Sequence, residues 1–273
     1  MTRPAVRVGC TGWGYDDWRG GFYPAGCDPA EYLRRYARVF DFTEVDSTYY
    51  RLPSAEQTAR WAAATPAGFL FSAKLPGAIT HEARLRVGGR EVDAVLDAFE
   101  PLRRAGKLGH LVAQCPPSLR RERDAEALEA FLALWPREWP LAVELRDASW
   151  WAPATYDALR RHGATLVWSD SQYGRTPPER TSDVVYVRIV GDREITRFDR
   201  IQRDRSDHLR HWLAQLEAEG HDARAWLLVV NNHLAGFAPK SAQMLARLVG
   251  APEPDLAAAA REPGQASLGA WER

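Results

Sequence analysis

Eight short apolar runs punctuate the chain: Val6–Cys10, Phe42–Asp46, Phe69–Lys74, Leu108–Gln114, Leu141–Arg146, Ala164–Trp168, Val184–Val190 and Ala225–Asn231. Each has strand length and ends at turn residues or charges. Between them the apolar spacing turns helical. Asp28-Pro29 reads as a cap with a first-turn proline, followed by Tyr32, Leu33, Tyr36 and Phe40. Ser54 with Gln57 forms a capping-box pattern ahead of Trp61. Val92, Val95, Leu96, Phe99 and Leu102 make a third stripe, and a fourth starts at Asp124 with Leu128, Phe131 and Leu132. Further helices are predicted over 153–162, closed by Gly163, over 206–219, closed by Gly220, and over 241–249, closed by Gly250. The gap after the sixth strand holds Pro177-Pro178 and no helical stripe, so it predicts an irregular connection.

Alternating strands and helices argue for a parallel sheet, and eight units for its closure into a (β/α)₈ barrel of TIM type. A doubly wound sheet is the competing architecture. Its phosphate-binding glycine turn is poorly matched, because Gly9-Cys-Thr-Gly12-Trp-Gly14 has the glycines in the wrong order and a Trp where a pyrophosphate would sit. The length of 273 residues suits one barrel domain over 1–250, with 251–273, rich in Ala, Pro, Gly and Glu, as a loosely attached tail.

Closure gives the strand alternation a chemical meaning. One strand face meets the helices and the other the barrel axis, so charges at spacing two point inward and need partners. Arg7, Gly9 and Thr11 alternate with Val6, Val8 and Cys10. Glu44 goes with Asp46, Ser72 with Lys74, Glu144 with Arg146, and Tyr186 with Arg188. Gln114, Asp170 and Asn231-Asn232-His233 stand at strand ends. Arg7 lies early in its strand and is expected in an internal ion pair with Glu44 or Glu144. Asp46, Lys74, Arg146 and Asp170 sit at strand tips, where barrel enzymes keep their chemistry. Lys74 is expected to pair with Asp46. The loops add Trp13, Tyr15, Trp18, Phe22 and Tyr23, then Tyr49 and Tyr50, then Trp150 and Trp151. Three aromatic loops at one mouth suggest walls for a ring-shaped ligand, with plain loop packing as the alternative.

Composition excludes several classes. The net formal charge is zero, so no strong pull on nucleic acid or anionic membrane is implied. No apolar run reaches the ~18 residues of a membrane span. No signal peptide is visible, and three widely spaced cysteines make no disulfide framework or CxxC pair, so the cytoplasm is the expected compartment.

Several stretches resemble the YecE-like family, also called domain of unknown function 72. They are Gly9-Cys-Thr-Gly-Trp-Gly-Tyr-Asp-Asp-Trp-Arg-Gly, Glu44-Val-Asp-Ser-Thr-Tyr-Tyr-Arg-Leu-Pro, Thr65-Pro-Ala-Gly-Phe-Leu-Phe-Ser-Ala-Lys74, Ile79-Thr-His81, Gln114-Cys-Pro-Pro117, Val143-Glu-Leu-Arg-Asp-Ala-Ser-Trp150, Tyr186-Val-Arg188, and Asn231-Asn232 followed by Gly236-Phe-Ala-Pro. The resemblance covers nearly the whole chain and implies a (β/α)₈ barrel; it brings no reaction with it. The chain departs from the family in carrying Asp46 where Asn is usual, and Ile189-Val190-Gly191 where His-Gly usually follows the arginine.

The residues suggest an enzyme, a hydrolase or lyase, acting on a small sugar-, phosphate- or nucleotide-like ligand. Glu44, Asp46 and Glu144 would be its acid/base groups. Lys74 is a further catalytic candidate, able to form a Schiff base if desolvated. Arg146 and Arg188, with Lys74, would clamp an anion. Trp13, Tyr15, Tyr49, His81, Gln114, Trp150, Asp170, Asn231 and Asn232 complete the expected binding set. No cofactor is identified. The mixture of Glu44, Asp46, His81, Asp170 and His233 is compatible with a divalent metal ion, although no ligand spacing such as HExxH is present. The other readings are a non-catalytic binder of single-stranded nucleic acid, drawing on the charge-dense stretch from Asp192 to Asp207, and a ligand-sensing barrel.

Overall fold

The computed structural model describes residues 3–191 and 193–261. Strands β1 (Ala5–Thr11), β2 (Phe42–Val45), β3 (Leu70–Lys74), β4 (Leu108–Gln114), β5 (Leu141–Glu144), β6 (Thr165–Ser171), β8 (Val184–Gly191) and β9 (Ala225–Val230) run parallel. The β5–β6 pairing closes them into an eight-stranded barrel. Around it lie α1 (Tyr32–Tyr36), α2 (Ala55–Ala64), α3 (Gly89–Arg104), α4 (Arg121–Leu134), α5 (Pro153–His162), α6 (Ser206–Glu219) and α7 (Ala238–Leu248). The two-residue β7 (Gly174–Arg175) is new relative to the pattern. It folds back antiparallel on β6, so the connection after the sixth barrel strand begins as a hairpin before running irregularly to β8.

The local chemistry explains most boundaries. Ser54 Oγ accepts the Gln57 amide at 3.3 Å at the start of α2. Gly163 ends α5 with φ 69°, a left-handed value that favours glycine. Two helices start three residues earlier than the pattern suggests. In α7 the reason is tertiary: Asn232 Oδ1, from the end of β9, accepts the Ala238 amide at 2.9 Å. In α4, Asp124 is no cap. From inside the first turn its buried carboxylate takes the Arg120 amide together with Arg84 and Arg86.

The apolar core has two shells. Most of it lies between strands and helices. A smaller cluster of Phe42, Val112, Ala142, Val167, Tyr186, Leu227 and Val229 plugs the barrel axis. Gly9 is required where β1 approaches β2, since a Cβ there would fall 2.0 Å from the Phe42 carbonyl oxygen. Tyr36 uses that approach, its hydroxyl accepting from the Cys10 amide and donating to the Phe42 carbonyl, each at 2.8 Å.

Two expectations are corrected here. Arg7 faces the opposite end of the barrel, where it pairs with Asp41 at 2.6 Å and remains part-exposed, far from an internal pair with Glu44 or Glu144. Residues 251–261, expected to hang loosely, are docked. Ala259 is fully buried, and the Ala259 carbonyl accepts from Arg35 while the Arg261 carbonyl accepts from Arg35 and Arg38. The rest of the expected tail, 262–273, lies outside the described residues.

Candidate active site

Alternation puts Glu44, Ser72, Gln114, Glu144 and Arg188 in one layer above the apolar plug. Arg188 is its hub. Its Nε meets both Glu44 oxygens at 2.9 Å, and its Nη1 donates to Glu144 Oε2 at 2.5 Å. Tyr186 donates to Glu44 at 2.9 Å. Gln114 and Arg146 donate to the two oxygens of Glu144, each at 2.8 Å. All these groups but the part-exposed Arg146 are buried, which penalises charge, yet every carboxylate oxygen has a donor. Burial works against ionised Glu144, but Arg188 and Arg146 outweigh it and hold its carboxyl well below the usual range. Likewise burial opposes the Arg188 charge, and Glu144 and Glu44 overcome it. A general acid needs its carboxyl pushed upward; Glu144 is pushed the other way.

Two of the charges at the strand tips, Asp46 and Lys74, are left over at the mouth. Asp46 directly follows β2 and Lys74 ends β3, so the two stand at the tips of adjacent strands paired up to Val45↔Ala73, although Asp46 has already turned out of the strand with φ -99° and ψ -19°. They nevertheless do not pair as expected. Among the described residues neither the Lys74 ammonium nor the Asp46 carboxylate has a hydrogen bond or ion pair. Glu44 and Glu144 are already committed to arginines, so Lys74 has the arginine hub beside it and no carboxylate in contact. Burial, then Arg188, lowers its pKa to about 8, with Glu44, Asp46 and Glu144 offsetting part of the effect. Lys74 keeps some surface open to the mouth.

The surrounding loops divide into walls and packing. After β3 the chain makes a π-type turn, Ala78–Glu82, that carries His81; such turns recur at functional sites. The ring of His81 meets Tyr49 edge-on at 4.9 Å. Burial, then Arg146 and Lys74, keeps its pKa below the ordinary value. Tyr173, on the β6–β7 hairpin, lies 5.2 Å from the Arg146 guanidinium, ring to cation. Trp13 and Tyr15 line a cleft of about 500 Å³ together with Asp46, Tyr50, Gln57 and Trp61. Tyr15 donates to the Thr11 carbonyl at 2.9 Å.

Other expected site residues do structural work. Trp150 is fully buried between the layers, donating to the Leu119 carbonyl at 2.8 Å, and is no wall of the mouth. Trp18, Phe22 and Tyr23 are likewise buried, packed together beside Tyr36. Asn232 is buried as a clamp for Trp18 Nε1 and the Ala238 amide. Asn231 caps the turn at His233. Asp170 is tied to Arg175 on the hairpin at 2.9 Å and stands 3.0 Å from His208 of α6. No group of three His, Cys, Asp or Glu side chains fit to hold a metal occurs among the described residues. In the charge-dense stretch, Arg197 and Arg200 pair with Asp199, and Arg203 with Glu194; Asp192 lies outside the described residues. Among the described residues no helix is long and apolar enough to cross a membrane.

Tyr173, Gln57 and Trp61 were not singled out as site residues by the pattern. Gln57 and Trp61 read as helix residues, and Tyr173 as loop. A signal for Lys74 did exist, because only three of the 36 basic residues are lysines. Lys107 is buried against the Ala62 and Thr65 carbonyls, and Lys240 lies exposed beside Gln243. Lys74 is the one at the mouth.

The family described as protein of unknown function DUF72 matches residues 7–266, and the chain belongs to it. A solved DUF72 family protein from Thermotoga maritima is 29% identical with a TM-score of 0.78, over 90% of this chain and 99% of that one. Another, from Enterococcus faecalis, is 21% identical with a TM-score of 0.77, over 96% and 100%, and shows the shared fold. The UPF0759 protein YecE of Escherichia coli K12 is 32% identical over 145 residues, 51% of this chain and 52% of that one. The UPF0759 protein YunF of Bacillus subtilis is 26% identical over 156 residues, 56% and 54%. The chain thus spans about half the length of the curated relatives it matches.

Proposed function

We propose that this DUF72 protein is an enzyme of lyase type, in which Lys74 attacks the carbonyl carbon of a small anionic substrate, Arg146 and His81 steady the anion, and Asp46 carries the proton. One observation supports this above the rest: a partly open lysine near a carboxylate, neither with a hydrogen bond or ion pair among the described residues, beside a layer of inward strand charges that are paired with one another. An amine is activated by desolvation or by a neighbouring cation, and Lys74 has both. With a pKa of about 8 in place of 10.5, roughly 300 times more of it is neutral at pH 7 than of an ordinary lysine.

The step balances with water and one proton borrowed from solvent. The neutral amine adds to the carbonyl carbon and the π pair moves to oxygen. One nitrogen proton passes through the Asp46 carboxylate to that oxygen, and a solvent proton lets the resulting hydroxyl leave as water, giving the iminium. The iminium takes up the electron pair of the neighbouring carbon–carbon bond as an enamine, while the β-hydroxyl gives its proton to Asp46 and its fragment leaves as an aldehyde. Asp46 returns that proton to the enamine carbon, and water then hydrolyses the restored iminium, releasing the carbonyl product, the neutral lysine and the borrowed proton. Glu44 and Glu144 hold Arg188 in this reading and do not themselves react. Three buried, free cysteines accord with the reducing cytoplasm as its compartment.

The test is borohydride trapping with pyruvate and with ribose 5-phosphate, read by intact mass and peptide mapping. A reduced adduct on Lys74, absent from Lys74→Met, is expected. No adduct with either compound, or equal labelling of Lys107 and Lys240, would overturn the proposal.

A further inference from the structure

The cleft beside Asp46 has a composition of its own. Its volume is about 500 Å³, and among the described residues no arginine or lysine lines it. Trp13, Tyr15, Trp61 and Tyr50 supply the aromatic surface, and Tyr50 is 87% exposed. Asp46, Ser47 and Gln57 supply the polar groups, the first with its carboxylate free. Carboxylate and carboxamide oxygens accept from hydroxyls, while the carboxamide and serine also donate to them. The aromatic rings are not arranged as a slot. Trp13 and Trp61 meet edge-to-face at 84°, and Tyr50 stands at 90° to Tyr49. A flat heteroaromatic ring needs parallel faces to be sandwiched; here a ligand finds one face, ring edges and a set of hydroxyl-binding groups. Those features suit a puckered ring with one C–H face and several hydroxyls.

We infer that this cleft is a subsite for a sugar ring, so that the substrate of the proposed lyase is an anionic sugar. The second half rests on the reading of Lys74 given above; the first half rests on the cleft alone. Asp46 belongs to both: it lines the cleft, and it follows β2 at the tip next to the strand that ends in Lys74. A sugar seated here would bring a hydroxyl onto Asp46 and direct its anionic or carbonyl end toward Lys74 and Arg146.

Calorimetric titration separates the two halves. Glucose 6-phosphate or glucuronate is expected to bind at least roughly tenfold more tightly than inorganic phosphate or acetate. Tyr50→Ala and Gln57→Ala should each shrink that advantage and leave binding of the simple anions unchanged. Tyr50 is exposed, so its variant folds, and Trp61→Phe probes the less exposed wall while keeping an aromatic ring there. Methyl glucoside, which has no charge, reports on the cleft by itself. If it binds and Tyr50→Ala weakens it while no anion binds, the subsite stands and the Lys74 clamp falls. If no sugar exceeds its matching simple anion and methyl glucoside does not bind, the subsite is overturned. Adenosine monophosphate binding more tightly than both sugars would also overturn it, in favour of base stacking.

Discussion

Replacing Lys74 by Met is expected to make the fold more stable at neutral pH. Lys74 has its pKa lowered from 10.5 to about 8, and each unit is worth ~1.4 kcal/mol between the two protonation states. The charged lysine thus costs the fold about 3 kcal/mol relative to the unfolded chain, less whatever the open side of the mouth screens. Between about pH 8 and 10.5 the unfolded chain binds the extra proton and the folded one does not, so native stability rises with pH across that window. Met keeps the length and apolar stem and drops the charge. The variant should therefore lead by about 2–3 kcal/mol below pH 8, with the lead shrinking above it and gone near 10.5. Urea denaturation of both proteins across this range measures the difference directly. A lysine engaged in a buried pair behaves in the opposite way, its removal costing about 3–5 kcal/mol. A variant less stable than the parent at pH 7 would refute the unpaired state of Lys74, and with it the activation argument.

Arg188→Met leaves Glu44 and Glu144 buried without their shared donor and should cost about 3–5 kcal/mol in denaturant titrations; adding Glu44→Gln and Glu144→Gln should recover part of it, and no recovery would argue against the hub. Trp150→Ala should cost about 3–5 kcal/mol as a cavity mutation, with sugar affinity unchanged; a loss of affinity at preserved fold would return Trp150 to the mouth. Burial lowers the pKa of His110 from 6.5 to about 4, so the unfolded chain takes up the proton first as pH falls. Stability should drop by about 3 kcal/mol between those two values, and His110→Gln should flatten that slope in acid denaturation; an unchanged slope would show that the histidine is not its source.

The barrel was legible because its signals are local. Eight runs of strand length matched all eight barrel strands, and Pro153–His162 and Ser206–Glu219 carried their own boundaries. The inward face was legible too, since period-two alternation sets Glu44, Ser72, Glu144 and Arg188 on one side whatever lies beyond. What failed depended on distant partners. The structural part of Asn232 could not be read: its oxygen holds Trp18 and the Ala238 amide, which cannot be seen from its neighbours in sequence, while its side-chain nitrogen has no hydrogen-bond partner among the described residues. Trp150 failed in the same way, an aromatic after a strand being equally apt for a wall or a core.

The sequence by itself determined the strand and helix order, and which side chains point to the barrel axis, because both follow from periodicities carried by consecutive residues. Only the tertiary structure decided how the inward charges combine. Arg188 reaches both glutamates, Arg146 takes the second oxygen of Glu144, and Lys74 and Asp46 are left without partners among the described residues. Strand alternation says which face a charge occupies, but pairing depends on the distances across the closed barrel, and those exist only once the last strand meets the first.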